Sequence, residues 1–411
     1  MSTSFKTGNG DTFDSIARKV YGTEQEANRI AQANPGVSEP FLSGVELVVP
    51  ANTDAPKISV APAPASEQNE TTIKLHGTRF RFWDSVVITR AIDVMDTVQF
   101  TAPFDHKAPG FKETFRPFSF QSAEVYVGGE PLFTGTVISI APSVESDSKT
   151  LDVNAYSVPG ILNDCTAPAS AYPIEFNGFG LENVAKALAK PFGIDVEFLA
   201  SQGQTFERVA CTPGTRILSF LSQLARQRNL LISSSADGKL QFLRSVAPGS
   251  PVAVLTQGQS PVMAVRPSFN PQEYYSHITG IEPVILGLDG VQYTVKNTRI
   301  TGVMRPLTFT APDTLDADIK VAVEAKAARM FANMVSYDLT VNTWRDPSGK
   351  LWEPNTTLKL EAPDAMIYSS YEFVIRSVQY ERNRNQESAT INLILPGAFA
   401  GEIPESLPWD E

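Results

Sequence analysis

Two cysteines and three histidines are the residues of this chain best suited to nucleophilic chemistry. A cysteine peptidase needs a thiolate beside an imidazole, and the available groups are Cys165 or Cys211 with His76, His106 or His277. None of the five lies in a recognisable nucleophile motif. The cysteines lack the Cys-x-x-Cys spacing of a zinc site, and no His-Glu-x-x-His pair is present. The sequence therefore predicts no catalytic residue, no metal ion and no cofactor.

A second candidate, Ser146-Asp147-Ser148-Lys149, has the Ser-x-x-Lys spacing of penicillin-recognising enzymes. Those enzymes hold the serine and the lysine together at the start of a helix. Here the four polar residues separate two segments of alternating hydrophobicity, and no Lys-Thr-Gly sequence follows. The pattern therefore predicts a hairpin turn.

A pair of carboxylates is the remaining route to catalysis, because a glycosidase needs only two acidic side chains. The chain carries 45 acidic and 34 basic residues, for a net charge of -11, so such a pair is not excluded. The same net charge makes non-specific attraction to phosphate backbones unfavourable. The sequence disfavours a nucleic-acid reader and leaves a hydrolase open as the alternative function.

Composition favours many short elements joined by turns. The 411 residues suffice for about two to four domains, and 30 prolines and 26 glycines are spread along them. No apolar run approaches the roughly 20 residues of a membrane span, and the N-terminus lacks the apolar core of a secretion signal. We expect a multidomain, mainly β chain with α+β parts, folded in the cytoplasm and without a membrane partner.

Hydrophobic periodicity and composition divide the chain into six segments. Period-two alternation predicts β blocks, helical repeats with an Asp-Gly turn predict an α/β insertion, and Ala, Pro and Ser predict a linker. The segments are residues 1–50, a compact module; 51–71, the linker; 72–171, the first β block; 172–250, the insertion; 251–400, the second β block with one long helix from Leu315 to Met334; and 401–411, a tail.

Two tryptophans bracket a Pro-Ser-Gly turn in the second block. Exposed, Trp344 and Trp352 would form a contact patch of the kind found at interfaces. Buried, their rings would cover the core of a hairpin, and we expect this second arrangement.

The first fifty residues predict the order strand, helix, helix, strand. An Asp-Thr pair starts an amphipathic helix with Ile16, Ala17 and Val20 on one face. A second helix stops at an Asn-Pro-Gly sequence, where the proline ring prevents continuation. A short strand then ends at Pro50.

These landmarks resemble the LysM module, with its Gly-Asp-Thr start, its Asn-Pro after the second helix and its Leu-x-x-Gly-x-x-Leu-x-x-Pro close. In LysM modules, the groove between the first strand-helix turn and the turn after the second helix binds N-acetylglucosamine polymers. The alternative is a docking domain whose loops contact another protein. The resemblance maps the binding groove to Gly10, Asp11, Thr12, Phe13, Asn34, Pro35 and Gly36.

Three tracts of the body resemble the baseplate hub proteins of contractile-tailed phages, most closely the Mu-like hub family. The first is residues 152–165, which end in Leu-Asn-Asp-Cys. The second is residues 213–240, from Pro-Gly-Thr to Asp-Gly-Lys-Leu. The third is residues 341–396, with Val-Asn-Thr-Trp-Arg-Asp and Gly-Lys-Leu-Trp-Glu-Pro-Asn. An N-terminal LysM module departs from the pattern of many hubs.

The hub resemblance implies a non-enzymatic structural protein of the virion tail baseplate. Each subunit of a homotrimer would contribute two small β-barrel hub domains, and six barrels would match the hexameric tail tube protein above a central spike protein. Wedge or other baseplate proteins would surround the hub, and DNA would pass through its lumen without specific binding. The LysM module would dock to these neighbours or bind peptidoglycan. The alternative is a tail-associated peptidoglycan hydrolase anchored by LysM.

Overall fold

The computed structural model describes residues 3–21, 27–37, 39–41, 43–49, 69–146, 148–281, 291–310, 319–383, 386–397, 399 and 406–410. The chain forms two compact units, residues 1–67 and 68–411. Most of the predicted linker lies outside the described residues, and so does the start predicted for the long helix, Leu315. None of the helices among the described residues is long and apolar enough to span a membrane.

The N-terminal unit has the predicted order of elements. Its strands pair antiparallel, with Thr3 opposite Val49, and its helices bury Ile16, Ala17 and Ile30. Val20 is exposed, so its assignment to the buried face is wrong: it lies in the last turn of α1, at the end of that face. The elements are β1 Thr3–Lys6, α1 Phe13–Tyr21, α2 Ala27–Ala33 and β2 Glu46–Val49.

The second unit is mainly β, as predicted. Its helices are α3 Phe111–Thr114, α4 Ile161–Asp164, α5 Leu181–Ala189, α6 Ile217–Gln227 and α7 Ile319–Met334. Its strands are β3 Thr71–Leu75, β4 Thr78–Phe80, β5 Ser85–Ala91, β6 Thr97–Pro103, β7 Ser122–Val127, β8 Glu130–Val144, β9 Lys149–Ser157, β10 Ile174–Phe179, β11 Val196–Phe198, β12 Phe206–Cys211, β13 Leu231–Ser234, β14 Leu240–Leu243, β15 Val254–Thr256, β16 Val262–Phe269, β17 His277–Ile281, β18 Gln292–Lys296, β19 Pro306–Thr310, β20 Val335–Val341, β21 Thr357–Ala362, β22 Ile367–Asn383 and β23 Glu387–Ile394.

Strands of both β blocks share one hydrogen-bonded sheet of 13 strands. Its main order is β16-β20-β23-β22-β5-β6-β9-β8-β7-β3-β4, with β21 and β15 branching from β22. The link between the blocks is antiparallel pairing of β22 with β5, from Ser377 opposite Ala91 to Asn383 opposite Ser85. Alternate residues of these strands are buried in one core that draws on both blocks. A division of these strands into two barrels stays a prediction.

The segment between the blocks has its own hydrophobic core. Helices α5 and α6 bury their apolar stripes there, including Leu181, Val184 and Leu221. Strands β13 and β14 form the expected pair around an Asp-Gly turn, where Gly238 has φ +90°, a conformation that favours glycine. Two small sheets, β10-β12 and β11-β14-β13, complete this part of the chain.

The long helix α7 packs on a three-stranded sheet of order β18-β17-β19. Five apolar side chains at helical spacing form its buried stripe: Ile319, Val323, Ala327, Met330 and Met334. Gly280 permits the close approach of α7 to β17, because a Cβ at this position would lie 2.4 Å from Val323 Cγ2.

Trp344 and Trp352 lie in the main core, as expected, and are fully buried. Trp344 Nε1 donates to the carbonyl of Ser388 at 2.8 Å, and Trp352 Nε1 donates to that of Thr343 at 3.1 Å. The hydroxyl of Tyr380 donates to the carbonyl of Trp352. Because each polar atom of the two rings has a partner, the pair closes the core without an unsatisfied group.

The last described residues, 406–410, pack against the second block. Leu407 is buried in the main core, and the ring of Trp409 meets Phe269 edge-on at 5.4 Å. Arg299 Nη1 lies 2.8 Å from Asp410 Oδ2, and the Tyr371 hydroxyl donates to the carbonyl of Ser406 at 2.8 Å. We call this segment the C-terminal strap.

Candidate assembly surfaces

The first loop of the predicted N-terminal groove is held mainly by its own backbone and by residues near Phe41. Asp11 Oδ2 accepts from Gly8 N at 2.7 Å, and Asp11 Oδ1 lies 2.7 Å from Lys19 Nζ. The bonds from Lys19 and Gly8 lower the pKa of Asp11. Gly10 N donates to the carbonyl of Phe41, and Phe41 N donates to that of Asp11, both at 2.9 Å.

Thr12 and Phe13 complete this first loop. Thr12 Oγ1 accepts from Ser15 N at 3.2 Å, and Thr12 N donates to Ser15 Oγ at 2.9 Å. The two bonds satisfy two backbone N–H groups at the start of α1. The ring of Phe13 meets Phe41 edge-on at 4.8 Å, and its N–H donates to Glu39. The four residues form an ordered loop with only part of their surface open to a ligand.

Asn34, in the second loop, joins α2 to β2. Its Nδ2 donates to the carbonyls of Ile30 and Val48 at 2.8 and 2.7 Å, and its Oδ1 accepts from Val48 N at 2.7 Å. The amide thus bonds the edge of β2 as a neighbouring strand would, and the side chain is buried. Pro35 and Gly36 are exposed beside it. A ligand at this loop would meet those two residues rather than the Asn34 amide.

We expect Asn34→Ala to weaken the N-terminal unit by about 1–3 kcal/mol, because it leaves both backbone groups of Val48 without partners. Hydrogen exchange at the Val48 amide measures the loss directly and should speed up by at least about tenfold. Asn9→Ala, in the exposed part of the first loop, is the matched control and should leave the rate unchanged. Equal protection in both variants would contradict the role given to Asn34.

The thiols and imidazoles do not form a nucleophilic pair in any contact of the described residues. Cys211 is buried opposite Ile174 in the β10-β12 pair, and burial raises the pKa of its thiol. A catalytic cysteine needs the opposite shift. His277 Nδ1 is bonded to Ser276 Oγ at 3.0 Å. No cluster of acidic, histidine or cysteine residues suited to a metal ion occurs in the described part of the chain.

The Ser146 to Lys149 segment joins the antiparallel strands β8 and β9, with Val144 opposite Lys149. This is the predicted hairpin, since neither Ser146 nor Lys149 lies on a helix. Asp147 lies outside the described residues.

Among the described acidic side chains, Asp96 has the most perturbed environment, and it is 2% exposed. Its Oδ1 accepts from Ala91 N at 3.0 Å, and its Oδ2 lies 3.3 Å from Arg90 Nε. Burial raises the pKa of Asp96 to about 6, although the Arg90 charge opposes the shift. Glu353 lies on the far side, 3.9 Å from Arg90 Nη1. The arrangement is a buried ion pair and not the paired carboxylates of a glycosidase.

This ion pair sits where the insertion meets the two blocks, beside a cleft of about 790 Å³. Asp96 N donates to Ser234 Oγ at 3.2 Å, and Ser233 Oγ donates to the carbonyl of Ala91 at 2.9 Å. Asp93 N donates to the carbonyl of Ile232 at 2.8 Å. The turn between β5 and β6 therefore fastens the insertion to the main sheet.

Sequence reasoning missed this junction and also a group of exposed aromatic side chains. Phe118 and Phe120 are 90% and 62% exposed in the loop between α3 and β7, with φ +61° and +48°. The available signal was five phenylalanines among residues 104–120. Bulky residues at positive φ are unusual, and where they occur they often mark function.

Family models match two parts of the chain. Residues 159–244, which include most of the insertion, match the second domain of the gp44-like baseplate hub proteins. Residues 3–57 match Phage Tail Protein X. The N-terminal match is thus to a phage tail family, and the LysM assignment stays a prediction.

Similar proteins agree with the first of these matches. The baseplate hub protein gp44 of Escherichia phage Mu is 23% identical over 72% of this chain and 79% of its own length. The 43 kDa tail protein of prophage MuSo2 from Shewanella oneidensis is 25% identical, with a TM-score of 0.69 over 80% of this chain and 98% of its own. A tail protein from Neisseria meningitidis shares the fold, at 20% identity and a TM-score of 0.68, over 80% of this chain and 98% of its own. The chain is therefore a relative of the Mu-like baseplate hub proteins and a component of the phage virion tail.

Proposed function

We propose that the chain is the structural hub of a contractile baseplate, a homotrimeric adaptor between the hexameric tail tube and the central spike. The observation that carries the proposal is the likeness to the Mu hub protein across most of the chain. Two β blocks per subunit in one sheet supply six blocks per trimer, which meets the symmetry of a six-subunit ring.

The hub works by shape and transforms no substrate. The buried thiol of Cys211 has a raised pKa, and the buried carboxylate of Asp96 is bonded to Arg90 and to backbone. Both groups serve packing and the attachment of the insertion. DNA passes through the lumen without specific binding, favoured by the net charge of -11.

The N-terminal module docks to baseplate neighbours. The match to a phage tail family supports this role, and so does the internal use of the Asn34 amide, which is no longer free for a sugar. The alternative to docking is that the same loops bind peptidoglycan. Pull-down of the full chain on insoluble peptidoglycan tests it, with Pro35→Glu as the variant because Pro35 is exposed. If the wild-type chain binds peptidoglycan and Pro35→Glu abolishes this binding, docking is not the role of the module.

The hub function predicts two results for the purified full chain. Sedimentation should give a trimer, alone or on addition of the tube or spike protein of the same phage, because hub subunits must close a ring. A cell-wall zymogram should show no clear zone. A persistent monomer beside both partners would contradict the adaptor, and a cleared zone would establish the tail-associated hydrolase instead.

A further inference from the structure

Two apolar features lie at opposite ends of the 13-stranded sheet. One is the knob, defined as Phe118 and Phe120, beside the terminal strand β4. The other is the groove, about 760 Å³ in volume, beside the terminal strand β16. Its lining residues include Phe269, Tyr274, Arg299, Met366, Tyr368 and Trp409.

Side-chain hydrogen bonds hold the loop that carries the knob. Ser119 Oγ donates to the carbonyl of Arg116, and Gln121 Nε2 donates to that of Glu113, both at 2.7 Å. These bonds hold the loop while both rings stay in solvent. Below it, Phe115 is buried and meets Phe80 of β4 edge-on at 5.3 Å. The knob therefore projects from a rigid corner of the main core.

The groove has apolar side chains open to solvent. Met366 and Tyr368 are 49% and 54% exposed, and Phe269 is 42% exposed. The C-terminal strap forms one wall, since Trp409 packs on Phe269 and Tyr368 N donates to the carbonyl of Pro408 at 3.3 Å. Among the residues that the structure describes, the strap leaves the rest of the groove uncovered.

We propose that the knob of one subunit inserts into the groove of a second copy of this chain. This inference rests on the proposed self-association of the hub and identifies the contact that produces it. Because the two features differ and lie at opposite ends of the sheet, the contact is head-to-tail, and a head-to-tail contact can close into a ring.

Charge favours this pairing over a knob against a knob. Beside the knob, exposed Lys112 and Arg116 outnumber the one acid, Glu113. Asp364 and Glu273 are close in sequence to the groove residues Met366 and Tyr274, and the cation that lines the groove, Arg299, is paired with Asp410. Two knobs face to face would bring the cations together. Two phenylalanines bury about 150–250 Å² each, so they act as anchors at the centre of a larger contact of roughly 1,600 Å².

Complementation between variants tests the proposal on the full chain. The knob variant carries Phe118→Ser with Phe120→Ser, and the groove variant carries Tyr368→Glu. Each alone should weaken self-association at least about 100-fold. Mixed in equal amounts they should form dimers and nothing larger, because one intact knob then meets one intact groove. Val144→Ser, at an exposed hairpin tip, is the matched control and should assemble as the wild type does.

The outcomes separate the two proposals. Wild-type trimers with both variants also trimeric would overturn the knob and groove while leaving the hub intact. A wild-type chain that stays monomeric both alone and beside the tube and spike proteins would overturn both. Loss of binding to another baseplate protein, with trimers unchanged, would assign the knob to that protein instead. Should Tyr368→Glu shift the unfolding transition, Met366→Glu replaces it, since that side chain is also half exposed.

Discussion

Trp344→Ala lowers the free energy of unfolding of the second unit by about 3–5 kcal/mol, the usual cost of removing a large buried aromatic side chain. The ring is fully buried, meets Tyr380 edge-on at 5.4 Å and donates to Ser388. The change leaves a cavity and also an unpaired carbonyl in β23. Urea unfolding followed by far-UV circular dichroism measures the loss.

Trp83→Ala is the matched control for this prediction, because Trp83 is only partly buried at the edge of the same core. Its cost should stay below about 2 kcal/mol. Equal losses at the two positions would contradict the central place given to Trp344. Trp344→Phe keeps a six-membered ring and loses the pyrrole ring with its donor, so its cost should fall between those of the wild type and Trp344→Ala.

Asp96→Ala should cost about 3–5 kcal/mol at neutral pH, because it leaves the buried Arg90 charge without its partner. It also removes the bond from Ala91 N, and with it part of the attachment of the insertion. Proteolysis between residues 172 and 230 should therefore accelerate together with the loss of stability. Glu353→Gln, on the exposed side of Arg90, is the control and should cost no more than about 0.5 kcal/mol.

The pH dependence of the free energy of unfolding shows whether the charge of Asp96, and not only the space it fills, affects stability. Burial raises its folded pKa to about 6 from 3.8, so the folded state holds the proton more tightly than the unfolded chain. The resulting stabilisation is fully present below pH 3.8 and is lost as pH rises through about 6. Asp96→Asn should abolish this slope. A slope unchanged in Asp96→Asn would show that another group produces it.

Local sequence patterns predicted those parts of the fold that depend on neighbours along the chain. The stripe of α7, the turn at Gly238 and the burial of Trp344 follow from helical periodicity, turn chemistry and hydrophobicity. The pairing of β22 with β5 does not, because it joins residues almost 300 positions apart whose register is set by packing.

The same contrast holds for the candidate surfaces. Asn34 fits the motif of a glycan-binding loop, yet its amide is bonded to Val48 in another element. Asp96 has no local sequence signature, since its environment comes from Arg90, Ser234 and the fold of the insertion. Phe118 and Phe120 could not be assigned to solvent, because hydrophobic residues predict burial unless backbone conformation holds them out.

Strand β22, 17 residues long, has a mechanical consequence for the subunit. At about 3.3 Å per residue it spans roughly 55 Å, and it is bonded to β5, β21 and β23. Tension along this strand loads the flanking ladders in shear, so many hydrogen bonds resist together instead of opening one after another. Force applied to one half of the subunit would reach the other through this continuous strand, which bends where its register shifts between Ile375 and Ser377.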